Sequence, residues 1–210
     1  MNKLRVGICG WGNVATGLFK TLQTNSVEIK KRSNLEIEII AIGARRDNPK
    51  CDPGNVIIER DIFNIIDHDI DVIVELIGGV DVARDLILKA LNAKKHVVTA
   101  NKAVIFNHGD ELFSVANKNG VKLLYESSVC AGTPIIKLLN QELAASKIFK
   151  ISGMLNGTSN FILSNMEEGM EFEPTLKLAQ EKGYAEPDPS FDIEGTDAVS
   201  YTHLTLPTRS

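Results

Sequence analysis

Short apolar runs rich in β-branched residues recur through the first 128 residues of the chain, and segments with helical spacing separate them. That alternation leaves few architectures open, because strand–helix–strand order lays the strands parallel in one sheet with helices on its faces. Leu4 to Cys9 is the first such strand. Gly10-Trp11-Gly12-Asn13-Val14-Ala15-Thr16-Gly17 follows it, and Leu18, Phe19 and Leu22 then recur at helical spacing. Leu35 to Ala41, Asp71 to Gly79, His96 to Ala100 and Val121 to Tyr125 read as further strands. Helices are expected over Ala83 to Leu91 and Glu111 to Asn119, the second stopped by Gly120. The expectation for residues 1–128 is an α/β fold, a doubly wound parallel sheet.

The rhythm breaks at Glu126-Ser127-Ser128-Val129-Cys130-Ala131-Gly132-Thr133-Pro134, which reads as a domain junction. Pro134 suits the first turn of a helix over Ile135 to Ala144. Lys147 to Leu155 alternates like a strand of a second sheet, and Asn156 to Asn160 is a polar turn. Phe161 to Met166 opens a helix, and Glu173 to Lys182 forms another with Gly183 as its C′ residue. Earlier in the chain, Asp47-Asn48-Pro49 is a turn and Cys51 to Ile58 is polar enough for a surface excursion.

Composition removes several classes of function. A net charge of −4 is wrong for a nucleic-acid binder, which carries a basic face. The N-terminus has no apolar leader, and the apolar runs fall far short of a membrane span. Three widely spaced cysteines fit neither a disulfide framework nor a zinc site. The expectation is a soluble, cytoplasmic protein that binds neither nucleic acid nor membrane.

Chemistry concentrates in a few places. Gly10 permits a tight turn, Gly12 lets the backbone approach a pyrophosphate, and Ala15 is small enough for close helix–strand packing. Glycine-rich turns also open ordinary βα units, so the pattern alone leaves both readings standing. The second strand ends in Arg45 and Arg46 with no acid beside them, which favours a 2′-phosphate, unless both are solvated loop residues. Gly78 and Gly79 fit a backbone running past a cofactor, or a turn. Lys102, at the tip of the strand ending at Ala100, can bind phosphate, carboxylate or a carbonyl oxygen, or can be a solvated lysine. Gly183 to Asp197 holds five carboxylates in fifteen residues, with Pro187 and Pro189 stiffening it. Carboxylates of this kind suit a cationic ligand, through charge-assisted hydrogen bonds. They also suit a plain acidic surface loop.

Several phrases together resemble homoserine dehydrogenase. They are Gly10 to Ala15, Glu75-Leu76-Ile77-Gly78-Gly79, Val98-Thr99-Ala100-Asn101-Lys102-Ala103 and Leu155-Asn156-Gly157-Thr158. Gly183-Tyr184-Ala185-Glu186-Pro187-Asp188-Pro189 and Asp192-Ile193-Glu194-Gly195-Thr196-Asp197 complete the set. The resemblance covers residues 1 to about 197. It implies a Rossmann-like NAD(P)-binding domain over residues 1–128 and the incomplete start of an α+β catalytic and dimerisation domain over 129–197. It also implies reduction of aspartate 4-semialdehyde to homoserine with NADPH or NADH, on the way to threonine and methionine, by an enzyme that is a homodimer at full length.

By the same resemblance Gly10, Trp11, Gly12, Asn13, Val14, Ala15, Arg45, Arg46, Ile77, Gly78, Lys102 and Gly183 would border the cofactor. Glu186 and Asp197 would hold the substrate's ammonium group, with Thr158, Tyr184 and Asp192 in support. Lys102 and Asp197 would serve catalysis. Glu126 and the carbonyls of Val129, Ala131 and Thr133 match the family's monovalent cation site, usually sodium. The family often has glycine and isoleucine where this chain has Ala131 and Thr133, a small departure where carbonyls are the ligands.

The end of the chain departs further. In the family a lysine follows the last acid of the last phrase, Asp197 in this chain, by one helical turn and is the proposed proton donor; here the position is Tyr201. Ser200 to Thr208 resembles the in-frame translation of a transposon-end adapter used in sequencing libraries, so residues 198–210 are expected to be a non-native tail. The 210-residue chain is then expected to be an inactive fragment. Two alternatives stand beside this reading. One is a non-catalytic NAD(P)-binding module. The other is an acylating semialdehyde dehydrogenase with Cys130 as nucleophile, which needs a base, and His203 in the suspect tail is the sole histidine after it.

Overall fold

The computed structural model describes residues 2–130, 132–153 and 156–185. The chain forms two compact units, residues 1–128 and 129–210. The first unit contains β1 (Asn2–Cys9), α1 (Asn13–Thr24), α2 (Ser26–Ser33), β2 (Leu35–Gly43), β3 (Ile57–Glu59), β4 (Val72–Glu75), α3 (Asp81–Asn92), β5 (His96–Thr99), α4 (Lys102–Asn119) and β6 (Leu123–Leu124). All strand pairs are parallel, in the order β3-β2-β1-β4-β5-β6. This is the doubly wound α/β arrangement, with helices covering both faces of the sheet. Central residues such as Ile8, Ile42, Ile73 and Val97 are fully buried, as strands covered on both sides require.

On one face Val6, Ile8 and Val74 pack with Ala15 and Phe19 of α1 and with Trp11, whose ring meets Phe19 edge-on at 5.2 Å. On the other, a 3₁₀ turn over Ile62–Asp67 takes the place of a crossover helix between β3 and β4. It fits because Gly7 and Gly43 have no side chains: a Cβ on Gly7 would lie 2.6 Å from Ile65, and one on Gly43 3.1 Å from the same residue. An extra residue, Ile40, interrupts the β1–β2 register, with Val6 opposite Ile39 and Gly7 opposite Ala41.

Three elements of this unit go beyond the sequence expectation. β3 is an edge strand that overlaps the end of the supposed surface excursion; at three residues it is too short for a periodic signal. The exposed helix α2 buries none of its residues, so it lacks the apolar stripe that reveals a helix. α4 begins at Lys102 rather than Glu111, because Asn101 caps it by accepting the Val104 N–H at 3.2 Å.

The described part of the second unit contains α5 (Gly157–Glu167) and α6 (Phe172–Glu181). One expectation is met in shortened form here and one fails. The helix expected over Ile135 to Ala144 forms over 136–142: it starts with an α-type bond from the Leu139 N–H to the Ile135 carbonyl at 2.9 Å and widens into a π-helix over Leu138–Glu142, where the Leu143 N–H reaches the Leu138 carbonyl at 2.9 Å. Leu138 and Leu143 stay exposed, so little apolar burial supports a longer helix. The strand expected over Lys147 to Leu155 is absent from its described residues, 147–153, where Phe149 is 85% exposed. No other described segment of this unit is extended, so such a strand has no edge to pair with. Among the described residues no helix is long and apolar enough to cross a membrane.

Candidate functional site

β1 and β4 are neighbours whose connections depart toward opposite edges of the sheet, and in such sheets ligands bind outside the carboxyl ends of those strands. Two loops meet there, Gly10–Gly12 after β1 and Leu76–Gly79 after β4. The Leu76 N–H donates to the Cys9 carbonyl at 2.8 Å, and the Gly10 N–H donates to the Gly43 carbonyl at 2.8 Å. A Cβ on Gly10, whose φ is 106°, would lie 2.4 Å from the Leu76 carbonyl oxygen. Contact between the loops therefore demands glycine at this position.

Gly12 differs. Its backbone is extended, at φ −88° and ψ −163°, and a Cβ there would meet no protein atom within 4 Å. No described residue excludes a side chain from this position, which lines an open cleft. Gly12 is also the N-cap of α1; no side chain caps it and no acid stands in the first turn. The helix dipole and terminal N–H groups are thereby left to an external anion. Of the sequence-selected residues that follow, Asn13 and Val14 are exposed on the first turn, while Ala15 is buried against the sheet. Trp11 lines the cleft, but it is 8% exposed and its ring belongs to the core.

The cleft has a volume of about 850 Å³, room for a dinucleotide. Beyond the two loops its lining includes Arg45, Arg46, Asp47 and Asn48 on the β2 side and Val80 to Val82 on the α3 side. Both arginines are exposed. Asp47 is the acid nearest the place where NAD sites carry one, and Arg60 holds it: Nη2 donates to Asp47 Oδ1 at 2.7 Å and Nη1 to the Ala44 carbonyl at 3.3 Å. Asn48 Nδ2 donates to the Trp11 carbonyl at 3.0 Å, tying this turn to the glycine loop. Arg60 escaped sequence reasoning because β3, which delivers it, has no periodic signature, and Asn48 was legible only as a turn residue.

In the β4 loop, Ile77 and the two glycines line the cleft, and Gly78 and Gly79 both adopt φ 73°, which accounts for glycine by conformation. Lys102 is exposed at the first position of α4. Burial, aided by the charge of Glu75, pushes the Cys9 thiol up to about 12, so this cysteine is a core residue rather than a nucleophile. Glu75, Thr99 and Ser128 form a buried polar cluster at the strand tips that sequence reasoning did not single out. Its legible signal was the cap residue Asn101.

In the second unit Asn156 caps α5, accepting the Ser159 N–H at 2.8 Å. The Thr158 hydroxyl donates to the Tyr184 carbonyl at 2.6 Å, and the Phe161 and Tyr184 rings lie 4.9 Å apart. α6 ends in a Schellman motif, with Gly183 at φ 77°, its N–H on the Gln180 carbonyl at 3.0 Å and the Tyr184 N–H on the Ala179 carbonyl at 2.9 Å. Thr158, Gly183 and Tyr184 are thus brought together at the end of α6. The Thr158 hydroxyl is occupied in that contact. Cys130 is half-buried and its carbonyl accepts the Thr133 N–H at 2.9 Å. Glu126 lies in a 3₁₀ turn over Glu126–Ser128 of the first unit, while Val129 is buried and Thr133 exposed in the second. Ala131, Glu186, Asp192, Asp197 and Tyr201, with the tail 198–210, lie outside the described residues.

Residues 10–126 match the family model described as homoserine dehydrogenase, NAD binding domain, and residues 134–204 match the homoserine dehydrogenase model. The second match reaches past residue 198, into the segment expected to be non-native. The homoserine dehydrogenase of Pseudomonas aeruginosa is 50% identical over 201 residues, covering 95% of this chain and 46% of that protein. That of Neisseria gonorrhoeae is 43% identical over 202 residues, covering 94% and 46%. A crystal structure of a homoserine dehydrogenase from Thiobacillus denitrificans superimposes with a TM-score of 0.89 at 42% identity, covering 97% of this chain and 48% of the other. A hyperthermophilic archaeal homoserine dehydrogenase in complex with NADPH gives 0.80 at 28% identity, covering 94% and 67%. The chain spans about half the length of the curated relatives it matches.

Proposed function

Since the chain belongs to the homoserine dehydrogenase family, we propose that its first unit binds NADP in the cleft between the β1 and β4 loops and that its second begins the substrate domain of that enzyme. The observation that carries the cofactor reading is Gly12, a glycine that no protein contact requires, lining the cleft at an uncapped helix N-terminus. The loop and the α1 N-terminus hold the pyrophosphate. Arg45 and Arg46 take the 2′-phosphate, and Arg60 neutralises Asp47, which would otherwise repel it. Lys102 and Ile77 border the reacting end of the cleft. The nicotinamide, when bound, supplies the hydride that reduces aspartate 4-semialdehyde to homoserine.

Glu186 and Asp197 bind the ammonium group of the amino-acid aldehyde, each through charge-assisted hydrogen bonds, and Asp192 supports them. The Thr158–Tyr184 bond and the Gly183 cap fasten α5 to the end of α6, just before Glu186 in sequence. Glu126 with the carbonyls of Val129, Ala131 and Thr133 holds a monovalent cation, and the full-length enzyme pairs as a homodimer. Tyr201 stands where the proton-donor lysine belongs, so the 210-residue chain acts as an NADP-binding module without turnover. Residues 198–210 are a tail foreign to the enzyme.

Spectrophotometric assay of the purified chain with homoserine and NADP tests the catalytic half of this reading. No reduction of NADP is expected. Restoring the family's lysine within a full-length sequence restores activity, and turnover by the 210-residue chain would overturn the reading.

A further inference from the structure

Glu75 closes β4 with no exposed surface, and among the described residues no cation pairs with it. A buried carboxyl is costly, and a leucine would fill a comparable volume without that cost. The group is kept by hydrogen bonds that form a circuit. Oε1 accepts the Ile77 N–H at 2.9 Å, and Oε2 accepts the Thr99 hydroxyl at 2.6 Å. Thr99 Oγ1 accepts the Asn101 N–H at 2.9 Å, and Asn101 Nδ2 returns to the Gly79 carbonyl at 2.7 Å. The Asn101 carboxamide oxygen meanwhile caps α4 through the Val104 N–H.

The circuit grips both ends of Gly78-Gly79, entering at Ile77 and leaving at Gly79. Two consecutive glycines at positive φ are the most mobile backbone a loop can have, and each would lose that freedom on ligand binding. We propose that Glu75 is a positioning residue that locks the diglycine loop of the cleft to the first turn of α4, so that the loop and Lys102 are held as one body before the cofactor arrives. Preorganisation of this kind raises affinity because the ordering cost is met during folding. Ser128, whose hydroxyl donates to the Thr99 carbonyl at 2.9 Å, extends the lock to the Glu126–Ser128 turn. The inference rests on the reading of the cleft as a dinucleotide site.

The test combines NADPH titration with hydrogen exchange of the full chain, for the wild type, Glu75→Leu, Thr99→Val, their double variant and Glu75→Gln. Each of the first two variants is expected to weaken NADPH binding about tenfold, and the double variant no further, since either substitution opens the circuit. Exchange at the Ile77 and Val104 amides should accelerate together in both. Glu75→Gln, which keeps an acceptor for Ile77 and a partner for Thr99, should recover most of the affinity. Full affinity in both variants, additive losses, or acceleration at only one amide overturns the lock. Wild-type chain that fails to bind NADPH sinks the dinucleotide reading instead, while the exchange data still decide whether loop and helix are coupled. Where Glu75→Leu does not fold, Thr99→Val carries the same comparison.

Discussion

Gly10 and Gly12 are two residues apart and are glycines for different reasons. A Cβ at 10 collides with the Leu76 carbonyl, whereas one at 12 reaches only the cleft. Gly10→Ala is therefore expected to destabilise the first unit, since positive-φ strain and overpacking each cost about 1–3 kcal/mol. Urea unfolding followed through Trp11, the one tryptophan and a residue of that core, should show a lower midpoint; an unchanged midpoint would mean the loops do not press together. The sequence shows both glycines alike. Spacing cannot separate a glycine that a neighbouring loop requires from one that only a ligand would require, because the distinction depends on β4, over sixty residues away along the chain. Arg60 and Glu75 were hidden for the same reason: each acts through a partner that the fold, not the spacing, brings near.

At the level of elements, what tells is whether an element carries its own signal. β1, β4, β5 and the apolar face of α3 were legible because a buried parallel strand is an unbroken apolar run and a covering helix has a 3.6-residue stripe. Lys147 to Leu155 has the alternation of a strand and does not form one in its described part, since alternation specifies faces but not a partner. The β1–β4 pairing has its own fastening outside the ladder. Arg5 donates from Nε and Nη2 to Asp71 at 3.1 and 2.7 Å, and its backbone N–H adds a third bond at 2.8 Å. This holds the Asp71 carboxyl below its ordinary value, chiefly through the guanidinium hydrogen bonds. Because the folded value is depressed, the contribution is complete above the unfolded value of about 3.9 and is lost as pH falls through the folded one. Asp71→Asn should lower the melting temperature at about pH 6, and its difference from wild type should shrink as the pH is taken to about 3. A difference that stays constant with pH would mean the carboxylate charge contributes nothing.

For the whole molecule, the described residues of the first unit contain a six-stranded sheet, its two covered faces and the cleft, the parts from which dinucleotide binding is proposed. Of the residues proposed for the substrate, Thr158 and Tyr184 are joined by a hydrogen bond, and the carboxylates follow in sequence. With Tyr201 at the position of the family's lysine, that asymmetry accompanies the proposal of an NADP-binding chain without turnover. Calorimetric titration with NADPH of the wild-type chain and of Gly12→Ala tests it most directly. The account predicts one saturable site in the wild type, and in Gly12→Ala at least a roughly tenfold loss of affinity with an unchanged melting temperature, since the added methyl meets only ligand. Absence of saturable binding in the wild type, or equal affinity in the two proteins, would contradict it.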